Sequence, residues 1–139
     1  MTRPLFMSPE HVAILNERLD ASSEVKRLCS EQAQDYVLLY VLHNNPTGQT
    51  EYWRTDIRRE GGVFLALALA DGDVDASISG DYWTILDALA GKGTLPPVAG
   101  EPDRIAAIGK VMTSKEVKAC AVPVTFPVRP PSSEWSESE

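Results

Sequence analysis

The stretch Asp73-Val74-Asp75-Ala76-Ser77-Ile78-Ser79-Gly80-Asp81-Tyr82-Trp83-Thr84-Ile85-Leu86-Asp87-Ala88-Leu89-Ala90-Gly91-Lys92 changes its hydrophobic period midway. In its first half Val74, Ala76 and Ile78 alternate with Asp73, Asp75, Ser77 and Ser79, which is the pattern of a strand with one wet face. From Tyr82 the spacing becomes i, i+3, i+4, i+7 through Tyr82, Ile85, Leu86 and Leu89, with Trp83 adjacent, as in a helix that buries one side. Ser79 or Asp81 can cap its first turn, and Gly91 suits the C′ position just past its end. A strand running straight into a capped helix calls for a mixed α+β domain.

Upstream, three further strands are expected. Tyr36-Val37-Leu38-Leu39-Tyr40-Val41-Leu42 is rich in β-branched and aromatic residues and reads as a strand buried on both faces. Asn44-Asn45-Pro46-Thr47-Gly48 is a turn cluster. Glu51 to Arg58 then alternates, with Trp53, Thr55 and Ile57 on one face and Tyr52, Arg54, Asp56 and Arg58 on the other. Gly61-Gly62 leads into Val63 to Ala70, a strand with Val63, Leu65, Leu67 and Leu69 on one side and mostly alanines on the other. Small side chains there leave room beside the sheet.

At the N-terminal end, Ser8 caps a helix whose first position is Pro9 and whose first turn carries Glu10. Val12, Leu15 and Leu19 recur at helical spacing, with Ile14 on the flank. Asp20-Ala21-Ser22-Ser23 marks a break, and a second short helix buries Val25, Leu28 and Cys29. Downstream, Lys92 to Gly100 is a Gly/Pro-rich loop and Pro102 starts a short helix through Ile105 and Ile108. Gly109 to Thr113 is expected to form the last strand, and Lys115 to Ala121 a last amphipathic segment. The domain spans residues 8–121. A tail over 122–139 follows, where Pro123, Pro127, Pro130 and Pro131 exclude regular structure and Ser132 to Glu139 is expected to be disordered.

Composition narrows the function. A chain of 139 residues, 43% of them hydrophobic, favours one domain around one core. A net charge of −7 with no long basic stretch argues against nucleic acid, because little would be gained from phosphate counterion release. Arg54, Arg58 and Arg59 form a small basic cluster, read as a solvated strand face rather than an anion site. Cys29 and Cys120 lack CxxC spacing and read as small apolar residues of an intracellular protein. The N-terminus lacks the apolar core of a signal peptide. The longest apolar run, Val63 to Ala70, is too short to span a bilayer. The last residues are not a Ser-Lys-Leu address. The expected compartment is the cytoplasm, and no membrane span is expected.

No GxSxG, HExxH, P-loop or GxGxxG is present. His11 falls in the first turn of a surface helix. His43 ends a strand beside a turn, where a polar strand terminus explains it better than a general base. Asp71, Asp73 and Asp75 with Gly72 resemble part of a calcium loop, but the glycine at the sixth position and the glutamate at the twelfth are missing. A solvated hairpin is the expected reading, so neither a metal nor a cofactor is expected. Trp53, Phe64, Tyr82 and Trp83 form the remaining aromatic set, which serves as core or as cavity lining.

The stretch Asp73 to Lys92 resembles the central segment of the sterol carrier protein family, where a strand of Ala-Asp-Ala-Thr-Ile type enters a Ser-capped helix with Phe or Trp and leucines that ends at Gly-Lys. Ile105-Ala106-Ala107-Ile108-Gly109-Lys110-Val111 is similar to the family's short apolar helix followed by Gly-Lys and a final strand. The resemblance covers about Ser8 to Ala121. In this chain Ala107-Ile108 stands where the family usually has a phenylalanine, and prolines interrupt the C-terminal segment that helps close the family's tunnel.

The resemblance implies a five-stranded, mostly antiparallel sheet with helices over one face and an apolar cavity between the layers. It also implies a lipid, sterol, fatty acyl or similar ligand, held as a carrier or accessory binding protein would hold it. Trp53, Phe64, Leu67, Trp83, Leu86 and Ile108 are the expected lining. The alternative is a small cofactor-independent enzyme, an isomerase or cyclase, using the same cavity, with His43, Tyr52 and Asp56 as its candidate catalytic groups. A third reading is an oligomerisation module that fills the cavity with its own side chains. A homodimer is compatible with all three.

Overall fold

Ser8 begins the first helix as its residue types require: its side chain accepts the His11 N–H, and Pro9 takes the first position of α1, Pro9–Ala21. The structure is a computed structural model that describes residues 3–67 and 72–128. Ser22 closes α1 and caps α2, Ser23–Ser30, by accepting the Val25 N–H. Three strands follow, β1 Tyr36–His43, β2 Glu51–Arg58 and β3 Gly62–Leu67. Then come β4 Ala76–Asp81, α3 Tyr82–Leu89, the two-residue β5 Ala99–Gly100, α4 Pro102–Met112 and α5 Lys115–Lys118.

The five strands form one sheet in the order β3-β2-β1-β4-β5. β1 with β2, β2 with β3, and β4 with β5 are antiparallel, while β1 and β4 are parallel, so the sheet is mixed but mostly antiparallel. β1 lies at the centre, which explains why it is apolar on both faces. The parallel pairing corrects one expectation: β4 does not return beside β3 as a hairpin. It crosses to the far side of β1, and Asp75 becomes a junction there. Its backbone N–H donates to the Val37 carbonyl, and its carboxylate accepts the Val37 N–H at 2.8 Å and Arg104 Nη1 at 2.8 Å.

A second correction concerns Gly109 to Thr113, which forms no strand. The stripe of Ile105, Ile108, Val111 and Met112 continues the helical period through it, and Val111 is fully buried. Glycine costs a helix about 1 kcal/mol relative to alanine, and the packing of this stripe outweighs it. The fifth strand lies instead in the expected loop. Its Gly100, at φ 145°, passes so close to β4 that a Cβ would sit 2.5 Å from the Asp75 carbonyl oxygen. The expected strand beyond Leu67, at 68–70, and the expected disorder of 132–139 lie outside the described residues.

Register divides the sheet into two faces. Tyr36, Leu38, Tyr40 and Leu42 share one face with Trp53, Thr55, Ile57, Val63, Leu65, Ala76 and Ile78. Every strand residue of the buried core cluster comes from this face, and it meets Val12, Leu19, Val25, Cys29, Tyr82, Ile85, Leu86, Ile108 and Val111 from the helices. Among the described residues, the helices pack on this face. Residues 123–128 run back past the N-terminus, where Leu5 bridges Thr125 and the Phe6 ring lies 4.9 Å from Phe126. His11 differs from the surface position expected of it. It is 4% exposed, and its Nδ1 accepts the Met7 N–H at 2.9 Å, with Met7 held at φ 58°.

Candidate functional site

A half-open apolar pocket of about 200 Å³ lies between the covered face of the sheet and α4. Its floor is Leu38 and Tyr40 of β1 with their register partners Ala76 and Ile78 of β4. Ala76, the register partner of Leu38, is the smallest side chain of this floor. Its roof is one face of α4, where Ile105, Ile108, Gly109 and Met112 fall at i, i+3, i+4 and i+7. Leu95 and Val98, from the loop between α3 and β5, close one side, and Thr113 lies at the end of the helix.

Three local features hold this space open. The Asp75–Arg104 ion pair ties the start of α4 to the start of β4. Gly109 lacks a side chain, and a Cβ there would meet nothing within 4 Å. Pro96 lies against Gly80, where a Cβ would come within 3.0 Å of the proline ring, so the loop carrying Leu95 and Val98 is seated on a bare backbone position.

Two hydroxyls are the polar side-chain groups of this lining. Thr113 Oγ1 donates to the Gly109 carbonyl at 2.7 Å and is thereby satisfied. Tyr40 makes no hydrogen bond among the described residues, and burial pushes its phenol pKa up. The Tyr40 ring lies 5.7 Å from Trp53, which links the cavity to an aromatic group of Phe6, Tyr82, Trp83 and Phe126. The Trp53 indole donates to Glu51 at 2.6 Å. Burial, and then the Glu51 charge, push Tyr82 above the usual tyrosine range.

Of the residues expected to line a site, Ile108 is in the cavity wall. Trp53 and Trp83 are buried together with Tyr82 in the aromatic group, and Leu86 is 2% exposed in the same core. Leu67 sits on the covered face opposite Trp53, at the end of β3, and is 39% exposed. Phe64 points to the uncovered face and is 53% exposed. Leu38, Tyr40, Ala76, Ile78, Ile105 and Met112 also line the cavity, beyond the residues expected from the sequence. The alternation of β1 and β4 and the α4 stripe carry them in the sequence, but only the parallel pairing brings the two strands together.

His43, Tyr52 and Asp56 all lie on the uncovered face, away from the cavity. His43 is exposed between Thr50 Oγ1 and Ser79 Oγ, each at 3.3 Å. Asp56 lies under the guanidinium groups of Arg54 at 3.1 Å and Arg58 at 3.9 Å. The cavity's described lining contains neither a carboxylate nor an imidazole.

Among the described residues, no helix is long and apolar enough to cross a membrane. No protein-family model matches the sequence, and no curated protein matches it. Solved structures do match in fold. One is a conserved hypothetical protein from Thermus thermophilus, described as possibly a sterol carrier protein, with a TM-score of 0.56 and 14% identity over 89% of this chain and 97% of that one. A crystal structure of sterol carrier protein 2 gives 0.56 and 15% identity over 85% of this chain and 99% of that one. The sterol carrier protein domain 2 of Helicoverpa armigera gives 0.51 and 16% identity, over 85% and 95%. The five-stranded sheet, its helix-covered face and these matches together show that the chain has a sterol carrier protein-like fold.

Proposed function

We propose that this chain binds a hydrophobic small molecule of lipid, sterol or fatty acyl type in the cavity beneath α4, as a carrier or accessory binding protein. The observation that carries the reading is the space itself, bounded by apolar side chains from β1, β4 and α4. The fold likeness to proteins described as sterol carriers supports the same ligand class.

Affinity would come from apolar burial at roughly 25 cal/mol per Å². A micromolar ligand, about 8 kcal/mol, therefore needs on the order of 330 Å² buried before ordering costs. At 200 Å³ the cavity is smaller than typical ligand pockets, which run from about 300 to 1,000 Å³. A sterol-sized ligand would thus displace the loop bearing Leu95 and Val98, while the Asp75–Arg104 pair keeps the start of α4 in place.

Gly109→Leu tests the reading. The new side chain joins the face of Ile105, Ile108 and Met112 and fills the cavity, while removing a helix glycine favours α4 by about 1 kcal/mol. Native protein should bind an apolar fluorescent probe that cholesterol or methyl palmitate displaces, and the variant should fold and lose at least tenfold in probe affinity. Equal probe binding by a folded variant would place the ligand elsewhere.

A further inference from the structure

We infer that the Tyr40 hydroxyl is the head-group anchor of the cavity, and that it selects ligands with a neutral hydrogen-bonding end, an alcohol or ketone, over carboxylates. The inference rests on the cavity binding an apolar molecule, and adds which chemical class of that molecule is preferred.

Tyr40 lies on the covered face of the central strand, between Leu38 and Leu42, and lines the cavity beside its partner Ile78. Its hydroxyl has no hydrogen-bond partner among the described residues, whereas the other side-chain hydroxyl of the lining, that of Thr113, is satisfied by the Gly109 carbonyl. Among the described residues no buried side-chain oxygen is both sealed off and unpartnered, so the phenol oxygen touches open space. Burial raises its pKa, so the phenol stays neutral at physiological pH and keeps its proton to donate.

The phenol oxygen is reachable by water and has no protein partner among the described residues. A ligand oxygen placed against it replaces the hydrogen bond to water, whereas an alkane of the same length displaces that water and leaves the donor unpaired. The charge of the ligand matters as much. The cavity lining contains no Lys, Arg or His among the described residues, and the nearby Arg104 is already engaged by Asp75 at 2.8 Å. A carboxylate brought there would be desolvated with a single phenol donor and no counter-charge, which one neutral hydrogen bond does not repay. An alcohol or ketone loses little hydration and gains the bond.

The test compares ligands of one chain length that differ only at the head: dodecane, 1-dodecanol, 2-dodecanone and dodecanoate at pH 7.5. Each displaces an apolar fluorescent probe from native protein and from Tyr40→Phe, which keeps the ring against Trp53. The expected order in native protein is alcohol and ketone tightest, alkane about tenfold weaker, and carboxylate weakest. In Tyr40→Phe the alcohol and ketone should fall to the level of the alkane, with the alkane unchanged. Carboxylate binding as tight as the alcohol, or an alcohol advantage that survives Tyr40→Phe, would overturn the anchor while leaving the cavity reading intact. Failure of every head group, alkane included, to displace the probe would instead overturn the cavity reading.

Discussion

Asn16 Nδ2 donates to the Leu65 carbonyl at 2.7 Å, and Asn16 Oδ1 accepts the Leu65 N–H at 2.7 Å, so one helix side chain satisfies both backbone groups of an edge-strand residue. β3 is the outermost strand on that side, and its outward N–H and C=O groups would otherwise be a template for pairing with another chain. The amide of Asn16 mimics a missing sixth strand and fixes α1 against the sheet.

Asn16→Ala should therefore destabilise the fold by about 1–2 kcal/mol, since two part-buried hydrogen bonds of roughly 1 kcal/mol each are lost. Urea unfolding reads the stability change. Analytical ultracentrifugation of the folded variant should show more self-association than the native chain.

Asp75 joins three elements, so the two ends of its ion pair are unequal. Asp75→Ala removes both the Arg104 contact and the acceptor for the Val37 N–H, with an expected cost of about 2–3 kcal/mol. Arg104→Ala removes one partly exposed contact and should cost no more than about 1 kcal/mol. Equal costs in urea unfolding would mean that the carboxylate's bond to Val37 contributes nothing.

The loop over the cavity rests on Gly80. Gly80→Ala places a methyl group within 3.0 Å of the Pro96 ring and 3.5 Å of Ile85, and must shift the proline by a few tenths of an ångström. Overpacking of this kind costs about 1–3 kcal/mol. Leu95 and Val98 flank the shifted proline, so the loop over the cavity should loosen: stopped-flow dissociation of an apolar probe should become at least threefold faster.

His11 gives the fold a defined response to acid. Burial holds its pKa below the ordinary value of 6.5, and its Nδ1 must be unprotonated to accept the Met7 N–H. Above pH 6.5 both folded and unfolded chains carry the neutral ring, and its full contribution is present. As pH falls below that value the unfolded chain takes up a proton that the native chain resists, so stability is lost until the folded pKa is passed. The urea midpoint should drop between pH 7.5 and 5.5, and drop less in His11→Gln.

Local chemistry made much of this fold legible. Ser8-Pro9-Glu10, Ser22 and the Asp81 cap of α3 announce helix starts, because each satisfies an orphan N–H within three residues. The alternation of Glu51 to Arg58 gave the faces of β2 correctly. What was hidden depended on distant partners. Nothing within Ala76–Asp81 says that it pairs in parallel with β1, and that pairing builds the cavity floor. Gly109 to Thr113 reads as a strand when taken alone, yet Ile105 and Ile108 set a helical stripe that continues through Val111 and Met112 and packs on the sheet. Phe64 has the size of a lining residue, but alternation with Val63 and Leu65 sends it to the opposite face of the sheet.

The central claim is that the space beneath α4 holds an apolar molecule. Native mass spectrometry of the protein purified from cells, followed by solvent extraction, tests it most directly. The account predicts an adduct close to one per chain that is released by organic solvent, carries a neutral oxygen at one end, and is absent from Gly109→Leu. A bare polypeptide mass, together with no displaceable binding of an apolar probe, would contradict it.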